Sequence, residues 1–138
     1  MSERENLALL IGRVLMSAIF LSGGWAKLLA PAATKAMLAS HALPVVDLAW
    51  VIAVVVELGG GLLLLFGLFT RATGLVLAAW CVATALIAHA HLSDRMQEIN
   101  FMKNMAMTGG FLYVFAFGAG AWSLDAALSR RRRLPVAG

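Results

Sequence analysis

Glu57 is the single carboxylate in the stretch "VVVELGGGLLLLFGLF" from Val54 to Phe69, and Gly59, Gly60 and Gly61 follow it almost at once. An ionised side chain held among apolar groups costs at least a few kcal/mol unless it has an enclosed partner, which is why such residues mark sites of proton exchange or ligand binding. At helical spacing Gly60, Gly61 and Leu64 share the Glu57 face. The glycines admit a second backbone there and screen the carboxylate from its surroundings. Counter-charges are available at Arg13, Lys27 and Lys103. Arg13, Ser17, Gly24 and Lys27 fall within about 40° of one another on a helical wheel, one polar and small stripe. At about 1.5 Å per residue, Arg13 differs from Glu57 in depth by roughly 9 Å and the two lysines by roughly 12 Å. The expectation is therefore an Arg13–Glu57 pair, with Lys103 as the next choice. A second group, Lys27, His89, His91, Lys103 and Asn104, stands at the ends of apolar runs and converges on one mouth. Such groups attract anions and can donate hydrogen bonds or carry protons. The plain alternative is snorkelling lysines and interfacial histidines.

No metal site is expected. His89 and His91 are two residues apart and point to different helix faces. Cys81 is the only cysteine, so no internal disulfide and no C-x-x-C redox pair exists.

The elements that must position these residues follow from composition. The chain is 62% hydrophobic and 13% charged, with a mean hydropathy of +0.87, whereas soluble domains carry about a quarter charged residues. A spanning helix needs roughly 20 mostly apolar residues, and four runs meet that need: 7–29, 48–69, 72–91 and 101–122. No stretch alternates as barrel strands do. The expected fold is all-α: one integral membrane bundle of four transmembrane helices with short loops, spanning 1–138, ending in a basic tail at 126–138. The residues around 4–32 imitate a secretory signal, but the apolar run is too long, contains Arg13 and precedes three more spans. Six basic residues (Arg4, Arg71, Arg130–Arg133) lie on the side of the termini and four (Lys27, Lys35, Arg95, Lys103) on the other, which predicts cytoplasmic termini. Trp25, Trp50 and Trp122 sit near span ends, where amphipathic rings settle. The +4 net charge is spread over helix ends and tail rather than gathered into a patch, so nucleic acid is not an expected partner; membrane lipid is.

The blocks "GRVLMSAIFLSGGWAKL", "VELGGGLLLLFGLFTR", "AHAH", "FMKNMAMTGGFL" and "WSLD", in this order from Gly12 to Asp125, resemble the DoxX family of small four-helix bacterial membrane proteins. On that resemblance Arg13, Ser22, Gly23, Lys27, Glu57, Gly60, Thr70, His89, Lys103 and Asn104 fall on family motif positions. The family takes its name from a membrane subunit of a thiosulfate:quinone oxidoreductase, and a mycobacterial relative is tied to a membrane complex that handles thiol stress. The resemblance implies a multi-pass protein of the bacterial inner (plasma) membrane and a quinone as candidate ligand. It would make Glu57, Arg13 and His89 the candidate catalytic residues. Lys103, Asn104, Lys27 and His91 would meet a quinone headgroup or an anion. The sequence has no haem ligand pair, no iron–sulfur cysteines and no flavin fingerprint. No cofactor is evident, and redox work would call for a partner protein. Two readings stand: a quinone-linked oxidoreductase subunit, or a non-catalytic anchor, accessory or chaperone subunit of another complex, held by its ion pair. A permease is a distant third, because four helices would have to form a homo-oligomer to line a path.

Overall fold

A computed structural model describes residues 1–132, among which six helices and no strand are found. They are α1 (Glu3–Leu29), α2 (Pro31–Ser40), α3 (Val46–Phe66), α4 (Thr70–Ala88), α5 (Arg95–Phe117) and α6 (Leu124–Arg132). Arg133 and the rest of the expected tail lie outside the described residues.

Helix α1 begins four residues before the apolar run because a capping box starts it: the Ser2 hydroxyl accepts from the Glu5 N–H at 3.3 Å, and the Glu5 carboxylate accepts from the Ser2 N–H at 2.7 Å. Its buried residues are Asn6, Arg13, Ser17, Phe20 and Gly24, so the polar and small stripe is indeed the packed face. Leu15, 68% exposed, and Ile19, 54% exposed, point outward, as apolar residues do when the surroundings are lipid.

Helix α3 buries Ala53, Glu57, Gly61 and Leu64. A four-residue spacing drifts by about 40° per step on a straight α-helix. The wide π-turn at Val55–Gly59 absorbs that drift and keeps Glu57 in line with its neighbours; single π-turns are frequent at functional sites. The chain then reverses within three residues through Gly67 at φ +66° and Phe69 at φ +49°. Asp125 holds this turn, accepting from the Phe69 N–H at 2.8 Å and the Thr70 N–H at 2.9 Å while its own N–H donates to the Gly67 carbonyl at 2.9 Å. Its carboxylate thus caps α4 from a distant part of the chain.

Helices α4 and α5 form the most extensively packed pair. Gly74 makes this possible: a Cβ there would stand 3.0 Å from the Phe111 carbonyl oxygen. Phe20, Leu64, Leu77, Cys81 and Phe111 make the centre of the core, with the Phe20 and Phe111 rings edge to face at 5.3 Å.

Several expected boundaries move. The third run ends at Ala88 rather than 91, and the second covers Val46–Phe66. The segment after Pro31 is not loop but α2, with the proline in its first turn, where a missing N–H costs nothing. The fourth run starts at Arg95, not 101, because Asp94 accepts from the N–H groups of Met96 at 2.7 Å and Gln97 at 3.3 Å and so extends the helix into polar sequence. It stops at Phe117 because Gly118 adopts φ +77°. The start of the expected tail is helical, as α6. Among the described residues three helices, α1, α3 and α4, are long and apolar enough to cross a membrane. Helix α5 has the length but carries Glu98, Lys103 and Asn104 in its first half.

Candidate functional site

Helices α1 and α3 run antiparallel in a register set by their glycines. A Cβ on Gly24 would meet the Leu58 backbone nitrogen at 2.9 Å, and one on Gly61 would meet Leu21 at 3.0 Å. Glu57 therefore stands opposite Gly23 and Gly24. Lys27 is less than a turn away, and its Nζ donates to Glu57 Oε2 at 2.7 Å. The other carboxylate oxygen, Oε1, accepts from the Trp80 indole N–H of α4 at 3.3 Å. Glu57 is 8% exposed and the Lys27 side chain 25%. The Lys27 carbonyl accepts from the Trp50 indole N–H at 3.0 Å, which fastens the end of α1 to α3.

This geometry corrects the expected Arg13–Glu57 pair. Arg13 lies eleven residues before Gly24, roughly 16 Å along α1, and no side-chain length spans that. It is 2% exposed, Nη2 donates to the Trp122 carbonyl at 2.6 Å, and it packs against Gly67 and Ser123. Its Nε and Nη1 have no partner among the described residues. Lys103, the second choice, is exposed on the outer side of α5 in a groove with Arg95 and Glu98. Depth counting failed because it aligned the helices by their apparent ends; the packed register is fixed by which small residues face each other.

The Lys27–Glu57–Trp80 cluster forms a wall shared by two chambers. One, of about 170 Å³, lies between α1, α4 and α5 and is bordered also by Thr84 and Asn104. Its lining is comparatively polar, and a space with several polar partners is suited to water. The other, of about 380 Å³, lies between α2, α3 and α4 and has mainly apolar walls, among them Leu38, Leu43, Ile52 and Ile87, with His41 and His89 at its border. A volume of this size falls in the range of small-molecule sites, about 300–1,000 Å³.

Of the residues singled out from sequence, Lys27, Glu57, Asn104 and His89 line these chambers. Arg13, Lys103 and His91 line neither. His89 is oriented by Gln97, whose side-chain oxygen lies 2.7 Å from Nδ1. Asn104 is buried, with its side-chain amide donating to the Asn100 carbonyl at 3.0 Å. Sequence reasoning missed Trp80, Thr84 and His41. Trp80 had a signal: an indole N–H in mid-helix, far from any interface, needs an internal acceptor. His41 had none, because it lies outside all four apolar runs. Among the described residues no cluster of three metal-ligating side chains occurs.

Comparison with known proteins agrees with the resemblance in the sequence. The DoxX family model matches residues 8–90. The chain is 35% identical over 131 residues to the inner membrane protein YqjF of Escherichia coli K12, covering 95% of this chain and 99% of that one. It is 36% identical over 123 residues to the inner membrane protein YphA of the same organism, covering 85% and 87%. No solved structure gives a significant match. With its apolar helices, its buried carboxylate and these relatives, the chain belongs to the DoxX family and is a multi-pass protein of the bacterial inner membrane.

Proposed function

We propose that the chain is the membrane subunit of an oxidoreductase system and binds a quinone headgroup in the larger chamber, against the Lys27–Glu57–Trp80 wall. In this reading α5 is a fourth span, packed along α4, and both termini are cytoplasmic. The observation that carries the proposal is an enclosed ion pair bordering an apolar chamber of about 380 Å³. A quinone ring is apolar on its faces and accepts hydrogen bonds at its two oxygens, and the chamber offers the same contrast. Leu38, Ile52 and Ile87 form apolar walls, while the Lys27 ammonium, the Trp80 indole and the His89 imidazole mark the polar end. When bound, a quinone supplies two-electron, two-proton redox chemistry. Lys27, whose ammonium keeps two N–H groups beyond the one given to Glu57, orients an oxygen by donation, and Trp80 holds Glu57 in place. Glu57 takes up or returns a proton, and the smaller chamber with Thr84 and Asn104 connects that carboxylate to water. Electrons come from a partner protein, because one cysteine and no cofactor motif leave this chain without a carrier of its own.

The test is mass spectrometry of quinones retained by the gently extracted protein. Wild type retains a quinone. The Lys27→Met/Glu57→Gln double variant, which removes both charges together, loses it with its fold intact, and Trp80→Phe retains less. Lys103→Met, on the outer side of α5, changes nothing. If wild type carries no quinone, or if the double variant keeps it, the ion pair is a structural clamp and the chain an anchor or accessory subunit.

A further inference from the structure

We propose that a second site, at the opposite end of the bundle from the Glu57 chambers, binds the phosphate of an anionic phospholipid. Here α4, α5 and α6 meet around a pocket of about 390 Å³ bordered by Phe69, Thr70, Arg71, Phe117 and Ser129. Arg71 is its cation. The side chain lies alongside Gly118, with Nε 3.5 Å from the place a Cβ would take, and among the described residues it has neither a carboxylate nor a hydrogen-bond partner. Asp125 also borders the pocket but makes no ion pair with Arg71; its charge is offset by the Phe69 and Thr70 N–H groups that its two oxygens accept from at the start of α4. Thr70 adds a second, independent sign: it is fully buried, it borders the pocket, and its hydroxyl has no hydrogen-bond partner among the described residues. A buried hydroxyl without a partner is costly and calls for one.

A planar guanidinium suits a phosphate, which accepts from two of its N–H groups. The flanks define the rest of the ligand. Phe69 is 67% exposed and Phe117 63%, which leaves two aromatic faces at the end of apolar helices, where acyl chains begin. Arg131 and Arg132 on α6 add positive charge at the same end. That favours a headgroup of net negative charge over a zwitterionic one. The site is independent of the quinone reading and shares no residue with it.

The experiment is native mass spectrometry of the delipidated full chain in detergent, titrated in parallel with phosphatidylglycerol and phosphatidylcholine, with inorganic phosphate as competitor. Wild type prefers phosphatidylglycerol, and Arg71→Gln lowers that affinity roughly five- to tenfold, the effect of one surface arginine on an anionic lipid. Ser129→Trp fills the pocket from exposed α6 with every charge retained; it reduces binding equally and decides the matter if Arg71→Gln does not fold. Arg95→Gln, at the opposite end of α5 from Phe117, leaves binding unchanged. Equal binding of the two lipids by wild type, or unchanged binding in both pocket variants, overturns the proposal. Displacement of the lipid by inorganic phosphate at comparable concentration also overturns it, because the ligand is then a free anion.

Discussion

Lys27→Met tests the register of α1 on α3 through a single interaction. The perturbation removes the ammonium that sits 2.7 Å from Glu57 Oε2 and keeps the length of the side chain. Removing one partner of a fully buried pair costs about 3–5 kcal/mol, because the other charge is left without compensation. Two features reduce this here: the Lys27 side chain is 25% exposed, and Trp80 still donates to Oε1. We therefore expect about 2–3 kcal/mol for Lys27→Met, below the fully buried range. Glu57→Gln keeps an acceptor for Trp80 and leaves the partly exposed lysine able to reach water, so its cost is smaller, about 1–2 kcal/mol. The double variant leaves no charge behind and should cost less than the sum by about 1–2 kcal/mol. The assay is reversible unfolding of the full chain in mixed micelles, read by tryptophan fluorescence. The cycle of Arg13→Met with Glu57→Gln should be additive within about 0.5 kcal/mol, as expected for sites this far apart. Additivity in the Lys27 cycle, or coupling in the Arg13 cycle, would refute the register on which the site rests.

Four further outcomes follow. Gly24→Ala places a Cβ 2.9 Å from the Leu58 backbone nitrogen and should destabilise by about 1–3 kcal/mol in the same unfolding assay. Gly12→Ala, with nothing within 4 Å, should be neutral or stabilise by about 0.5–1 kcal/mol through helix propensity. Asp125→Ala releases the cap on α4 and should cost about 1–2 kcal/mol, with faster hydrogen exchange at Phe69 and Thr70. Reporter fusions at the C-terminus should be active only inside the cell and one at Lys35 only outside; reversed signals would invert the bundle.

Much of this arrangement can be read from one sequence, for identifiable reasons. Apolar runs longer than a bilayer is thick gave the main helices, because lipid leaves the chain few other ways to satisfy its backbone. The stripe of Arg13, Ser17 and Gly24 gave the packed face of α1, because only small or polar residues interrupt an otherwise uniform surface. The glycines after Glu57 gave a close helix contact. What escaped was long-range alignment. Nothing local states that Gly23 and Gly24 face Glu57 and Gly61, although matching the two small-residue patches would have paired Lys27 with Glu57 and left Arg13 to the turn at Gly67. The polar ends escaped too. Asp94 with Gln97, and Ser2 with Glu5, are capping sequences that extend helices beyond their apolar cores, and a hydropathy reading ends a helix where the apolar residues end. Helix α2, which borders the larger chamber and contributes His41 at its C-cap, was hidden by Pro31, a residue that starts helices as readily as it breaks them.

The central claim, that a quinone headgroup occupies the chamber against Lys27, Glu57 and Trp80, is met most directly by photolabelling. The protein in native-like membranes is irradiated with an azidoquinone, and the modified peptides are mapped by mass spectrometry. Labels are expected on Leu38, Leu43 and Thr84, which border the chamber and are not among the exposed lipid-facing residues, with suppression by excess unlabelled quinone. Labels confined to lipid-facing residues such as Leu15 and Tyr113, unaffected by competitor, would contradict it.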